Sequence, residues 1–174
     1  KMITLTVNGR SVELNDGSTL LDAAKGAGVY IPTLCYYPRL PSNAVCRMCL
    51  VNVNGKARPE PACITKANDG DIIETDSREL QEFRKTDTQW LLARHPNDCM
   101  RCEVSGSCKL QNFVSEYQLE ESWGKVPMGS PEHLEHGLTD HTSPSIWLDL
   151  SKCIECGLCV EACGEPGQQQ HVIG

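Results

Sequence analysis

Alternating β-branched residues in ITLTVNGRSVEL, residues 3 to 14, flank Asn8-Gly9. That dipeptide is a strong short-range signal for a two-residue hairpin turn, so the segment predicts two antiparallel strands. Asp16-Gly17 then turns the chain, and Ser18 or Thr19 can cap a short helix, TLLDAAKGAG. In it Leu20, Leu21, Ala24 and Ala27 share one broad face, and Gly26 and Gly28 end it. LVNVNGKARP offers a second turn at Asn54-Gly55, and Asp69-Gly70 leads into DGDIIETDS, a closing strand carrying Ile72 and Ile73. Hairpin, helix and further strands predict a β-grasp layout, one mixed sheet with a helix packed across it, ending near Ser77.

From Arg78 the period becomes helical. Leu80, Phe83, Trp90 and Leu91 recur among charges, so residues 79 to 94 predict an amphipathic helix that Pro96 stops. Phe83 and Trp90 read as packing residues rather than redox groups. KLQNFVSEYQLEE, from Lys109 to Glu121, predicts a second helix with Leu110, Phe113, Val114 and Tyr117 inward. Residues 122 to 145, rich in Pro, Gly, Ser and His, predict an irregular connection. Its His133, His136 and His141 sit in a loop without acidic or thiol ligand geometry and read as exposed side chains. Ile146, Trp147 and Leu148 begin a short strand. The expected class is α+β, divided as residues 1–78, a β-grasp domain; 79–121, a small helical domain; 122–145, the connection; and 146–174, the first half of a bacterial-ferredoxin-like domain.

Composition changes this picture in three ways. Of 174 residues only 5% are aromatic, two of them Phe, so a large aromatic core is not expected and metal ligation is expected to supply part of the stability. Eleven cysteines cannot all be used in internal disulfides; with no signal-peptide pattern or membrane-length apolar run, they point to a reducing compartment, the cytoplasm or an organelle matrix. A net charge of −7 argues against a nucleic-acid partner. Lys1 in first position and the abrupt end suggest a processed or partly represented longer protein. No motif for binding a nicotinamide, flavin or nucleotide occurs.

The cysteines fall into three sets. Cys35, Cys46, Cys49 and Cys63 are spaced C-x10-C-x2-C-x13-C. Four thiolates with a central C-x2-C can hold a 2Fe–2S rhomb or a tetrahedral zinc, and the β-grasp context favours the former. Arg47 and Met48 are expected to form part of the lid of that site. His95, Cys99, Cys102 and Cys108 read H-x3-C-x2-C-x5-C in HPNDCMRCEVSGSC. A histidine at a helix end is more often a cap than a ligand. Dividing the cysteines four, three and four nonetheless leaves this set one ligand short, and His95 is the nearest candidate. A three-thiolate, one-imidazole zinc site is the alternative. Cys153, Cys156, Cys159 and Cys163 lie in DLSKCIECGLCVEAC with the C-x2-C-x2-C-x3-C spacing of bacterial 4Fe–4S ferredoxins. Three of these can wrap one cubane, while the fourth points away toward another.

Taken in this order, a four-thiol β-grasp domain, the run HPNDCMRCEVSGSCKLQ and a ferredoxin run resemble one known iron–sulfur region. It is the N-terminal region shared by FeFe hydrogenases, NAD-linked formate dehydrogenases and the large iron–sulfur subunit of respiratory complex I. Small subunits of NAD-coupled hydrogenases have it too. The resemblance covers nearly the whole chain. It implies a 2Fe–2S cluster on Cys35, Cys46, Cys49 and Cys63, and a His-ligated 4Fe–4S cluster on His95, Cys99, Cys102 and Cys108. It implies three ligands of a further 4Fe–4S cluster at Cys153, Cys156 and Cys159, the fourth coming from beyond residue 174 in hydrogenase-type members. Cys163 then serves another cubane, which favours the hydrogenase and formate dehydrogenase branches.

The implied function is an electron relay, in which single electrons pass between a flavin-bearing, NADH-binding iron–sulfur partner and a catalytic domain or subunit. The setting is a multi-subunit oxidoreductase without direct membrane insertion. An NAD-coupled FeFe hydrogenase, including an electron-bifurcating one, is the preferred parent; formate dehydrogenase and complex I are alternatives. No catalytic centre is visible in the chain. Two other classes compete: a catalytic enzyme seen only in its accessory part, and a zinc-stabilised interaction module.

Overall fold

The computed structural model describes residues 1–96, 98–119, 139–140, 142, 144–145 and 148–164. Two units emerge, Lys1–Arg84 with the segment from Cys156 onward, and Lys85–Glu155.

The first unit is built on β1 (Met2–Val7) and β2 (Arg10–Asn15), paired antiparallel from Met2↔Asn15 to Val7↔Arg10. Asn8 and Gly9 have φ of 47° and 80°, the left-handed pair that a two-residue hairpin turn demands. The strand alternation buries Ile3, Leu5 and Val7 and exposes Met2 and Thr4. α1 (Leu20–Gly26) follows, its first turn closed by a capping box: Asp22 N donates to Thr19 Oγ1 at 3.1 Å, and Thr19 N donates to Asp22 Oδ2 at 3.0 Å. Burial pushes the Asp22 carboxyl up, but those Thr19 bonds outweigh it and hold the group below its ordinary value.

β3 (Leu50–Val53), β4 (Glu60–Pro61) and β5 (Ile72–Glu74) complete a five-stranded sheet in the order β2-β1-β5-β3-β4. β5 runs parallel to β1 and antiparallel to β3, so the last strand in sequence sits in the middle of the sheet. Leu20, Leu21, Ala23 and Ala24 of α1 are buried in one core with inward residues such as Leu5, Val7, Val51 and Ile73. This is the β-grasp expected from the hairpin and turn signals. The core is aliphatic, as the scarcity of aromatic residues required.

α2 (Arg78–Arg94) forms where a helix over 79–94 was expected and ends ahead of Pro96. Its inward line is different. Phe83 and Trp90, expected to pack, are 40% and 51% exposed. The buried positions are Leu80, Arg84, Thr88 and Leu92, a strict i, i+4 ladder. An Arg and a Thr in that ladder break the apolar signal, which is why the aromatic residues looked like the inward face.

The second unit has a short 3-10 turn at Cys99–Arg101, then α3 (Lys109–Glu116), which buries Leu110, Phe113 and Val114. These three were expected inward; Tyr117 follows the helix as its C-terminal cap and packs at the edge of the cluster. Short strands β6 (Thr139–Asp140) and β7 (Leu148–Asp149) pair antiparallel, and a 3-10 turn, Leu150–Lys152, follows. The expected strand start at Ile146 and Trp147, His133, His136 and His141, and most of the 122–145 connection lie outside the described residues. α4 (Leu158–Cys163) belongs to the first unit. No helix among the described residues is long and apolar enough to cross a membrane.

Candidate metal centres

The first cysteine set is assembled by the sheet. β3 and β4 pair with Leu50 opposite Pro61, and Ala62 N donates to Cys49 O at 3.1 Å. That register sets Cys49, just before β3, beside Cys63, just after β4. The segment around Cys63 is held in turn by α1, whose Leu20 N and Leu21 N donate to Thr65 O and Ala62 O, both at 2.9 Å. At the other end of the loop, Cys35 N donates to Cys46 Sγ at 3.5 Å. Cys35, Cys49 and Cys63 are buried, and Cys46 is half-buried.

Electrostatically the four sulfurs act as two pairs, Cys35 with Cys46 and Cys49 with Cys63. The Cys35 thiol donates to the Cys46 sulfur, and against the opposing effect of burial this holds Cys46 down to about 5. Amides of Cys35, Leu34 and Met48 add to the effect. Likewise the Cys63 thiol holds Cys49 down to about 7. The donors Cys35 and Cys63 are pushed up, first by those same bonds and then by burial. Two thiol pairs cradled by backbone N–H groups suit a 2Fe–2S rhomb, which takes two thiolates on each iron. Met48, expected in the lid, is fully buried, and Arg47 is exposed with φ of 54°.

The second set surrounds a cavity of about 330 Å³ in the second unit, lined by His95, Cys99, Cys102 and Cys108. His95 follows the end of α2, Cys99 and Cys102 bracket the 3-10 turn, and Cys108 is the N-cap of α3. His95 Nδ1 lies 3.1 Å from Pro96 O. A carbonyl only accepts, so Nδ1 carries the proton and the lone pair of the neutral ring sits on Nε2. Metal-binding histidines are usually oriented by such a bond. Burial pushes the Cys99 thiol up, helped by negative charge at Cys108 and Cys102. The loop between Cys102 and Cys108 is braced by Gly106 N donating to Gln111 Oε1 at 2.8 Å, a contact with no motif to announce it. Lys152 and Ile154 line the same cavity.

In the third run, Cys153 is exposed and its Sγ accepts from Glu155 N at 3.3 Å. Cys159 and Cys163 lie on α4, and Cys156 lies just before it. Gly157 precedes α4 with φ of 71°, and a Cβ there would stand 2.5 Å from Asn43 Nδ2. Asn43 donates from that atom to Cys156 O at 3.1 Å and accepts from Val45 N at 3.3 Å. Sequence reasoning passed over Asn43, which carries no periodic or motif signal. None of the eleven cysteines forms a disulfide. Among the described residues no three or more His, Cys, Asp or Glu converge to hold a single ion. Cluster ligands bond to several irons and have no need to converge on one point.

The fold and these thiol sets define the class, a ferredoxin-type iron–sulfur protein with more than one centre. Three family descriptions match in succession: a 2Fe-2S iron-sulfur cluster binding domain over residues 1–78, an NADH-ubiquinone oxidoreductase-G iron-sulfur binding region over 84–122, and a 4Fe-4S binding domain over 146–165. Similar proteins include an NADH-quinone oxidoreductase subunit of Rhizobium meliloti, 41% identical over 94% of the chain and 19% of that protein. The gamma subunit of the NAD-reducing hydrogenase HoxS of Cupriavidus necator is 36% identical over 91% of the chain and 64% of its own length. A crystal structure of an NAD+-reducing [NiFe]-hydrogenase in the H2-reduced state superposes with a TM-score of 0.82 at 33% identity, covering 96% of this chain and 68% of that one. The chain belongs to the superfamily formed by the large iron–sulfur subunit of complex I and its counterparts in NAD-linked hydrogenases. It spans from a fifth to two-thirds of the length of these relatives.

Proposed function

We propose that the chain is an iron–sulfur electron relay of an NAD-coupled hydrogenase. Cys35, Cys46, Cys49 and Cys63 would hold a 2Fe–2S cluster, and His95 with Cys99, Cys102 and Cys108 a 4Fe–4S cluster. Cys153, Cys156 and Cys159 would supply three ligands of a ferredoxin-type 4Fe–4S cluster, with Cys163 serving a further one. When bound, such clusters take up and release single electrons. The chain's own residues bury Cys35, Cys49 and Cys63, aim backbone N–H groups at the sulfurs of that first set and orient the ring of His95.

The observation that carries the reading is that a β-grasp fold brings the four cysteines together, Cys49 beside Cys63 through the β3–β4 register and Cys35 beside Cys46 through its N–H on Cys46 Sγ. Partners of matching chemistry are a flavin-bearing NADH-binding iron–sulfur subunit on one side and a catalytic domain or subunit on the other. The sequence favoured an FeFe parent, whereas the solved neighbour is a [NiFe]-hydrogenase. The relay, more than the kind of hydrogenase, is what the likeness supports. A second reading, the same relay within a complex I-type enzyme, is favoured by the 41% identity to an NADH-quinone oxidoreductase chain.

Iron, zinc and acid-labile sulfide per chain, measured on anaerobically purified protein, test the proposal. About six irons with matching sulfide mean one 2Fe–2S and one 4Fe–4S cluster, and about ten mean that the third run is filled as well. Zinc in place of iron and sulfide overturns the relay and leaves a structural module.

A further inference from the structure

Arg84 is 3% exposed, on the inward ladder of α2. Its guanidinium spreads over three carbonyls. Nε donates to Met48 O at 3.1 Å, and Nη2 donates to Leu50 O at 3.0 Å and to Thr75 O at 2.9 Å. Met48 and Leu50 are the residues on either side of Cys49. The Met48 carbonyl shares its peptide with the Cys49 N–H, and the Met48 N–H itself points at Cys46 Sγ. One side chain therefore grips the C-x2-C turn from behind and ties it to the end of β5.

Burying a guanidinium is costly, and Arg stays charged under all ordinary conditions. A Leu or Met would fill the position on an i, i+4 ladder without that cost. A Lys would supply one point of charge, where the planar fork reaches several carbonyls at once. What the Arg adds is a fixed positive charge next to Cys49, together with charge-assisted bonds that stiffen the peptides flanking it. A positive charge in a poorly screened interior favours the form of a neighbouring centre that carries one more electron. Cluster potentials respond to net charge and to hydrogen bonding around the sulfurs.

We propose that Arg84 is a positioning residue that raises the reduction potential of the 2Fe–2S centre on Cys35, Cys46, Cys49 and Cys63. It does so by its buried charge, while its hold on the Met48 and Leu50 carbonyls keeps the turn, and with it the cluster, in place. The inference rests on the 2Fe–2S reading of those four cysteines and adds to it a determinant outside the ligand set.

The test is a redox titration of the anaerobically purified full chain, followed by electron paramagnetic resonance. Wild type is compared with Arg84→Gln, which keeps a donor for the carbonyls and loses the charge, and with Arg84→Lys, which keeps the charge. The potential of the 2Fe–2S signal is expected to move negative in R84Q and to stay near the wild-type value in R84K. The potentials of the 4Fe–4S signals are expected to hold in both. An unmoved potential in R84Q, or an equal fall in both variants, overturns the role of the charge. Should R84Q not fold, R84K decides alone: a wild-type potential with faster cluster loss supports the proposal, and a fallen potential overturns it. A wild-type chain with no 2Fe–2S signal instead overturns the cluster reading beneath it.

Discussion

At the scale of single residues, the sulfurs of the first set are not equivalent. Cys46 accepts from the Cys35 thiol and from the amides of Cys35, Leu34 and Met48, so its sulfur is held as thiolate above about pH 5. Cys35 and Cys63 donate and are pushed the other way. Thiolates, not thiols, attack alkylating reagents. In the metal-free chain at pH 6, Cys46 is therefore expected to react with iodoacetamide ahead of Cys35 and Cys63. Mass-spectrometric mapping of early products checks this, and equal labelling of all three would contradict the pairing. Cys46 and Cys49 could be named as ligands from C-x2-C alone. Which of them pairs with Cys35 and which with Cys63 could not, because the partners are eleven and fourteen residues away and are brought close only by the loop and by the β3–β4 register.

Among the elements, α1 does more than cover the sheet. Its first-turn N–H groups cap the segment that carries Cys63, and the Thr19–Asp22 capping box fixes where that turn begins. Removing the hydroxyl leaves a first-turn N–H without its acceptor. Thr19→Ala is expected to cost about 1 kcal/mol, and Thr19→Ser to cost little. The thermal midpoint of the iron-loaded chain, followed by visible absorption, reads the difference, and an unchanged midpoint in T19A would mean that the cap is dispensable. Turn positions and helix spans were legible because Asn-Gly pairs, a capping Thr and Pro96 act locally. The inward face of α2 was not. Leu80, Arg84, Thr88 and Leu92 face inward because Arg84 finds three carbonyls there, and neither Arg nor Thr announces burial in a hydropathy pattern.

For the molecule as a whole, the two units have unequal means of support. The described core of the first joins seventeen buried residues, and that of the second joins four, Leu92, Leu110, Val114 and Leu119. Burial of a full aliphatic side chain contributes roughly 1.5–3 kcal/mol, so the smaller cluster falls short of holding a fold unaided and its cavity of cysteines adjoins it. Stripping iron with a chelator is expected to open the second unit first. Limited proteolysis should then cut within residues 95–119 while residues 1–77 stay protected; simultaneous digestion of both would show that the sheet depends on metal equally.

The sequence by itself determined the cysteine spacings, the order of the three sets, the hairpin and the breaks between helices. Each depends on residues close together along the chain, where steric preference and hydrogen bonding act without a tertiary partner. Only the tertiary structure decided the sulfur pairs, the side chain of Asn43 reaching Cys156, the proton on His95 Nδ1 and the burial of Arg84. Apart from the His95 contact, which is made with the neighbouring Pro96 carbonyl, these depend on groups distant in sequence, and for the sulfur pairs and Arg84 they become neighbours once β5 has slotted between β1 and β3.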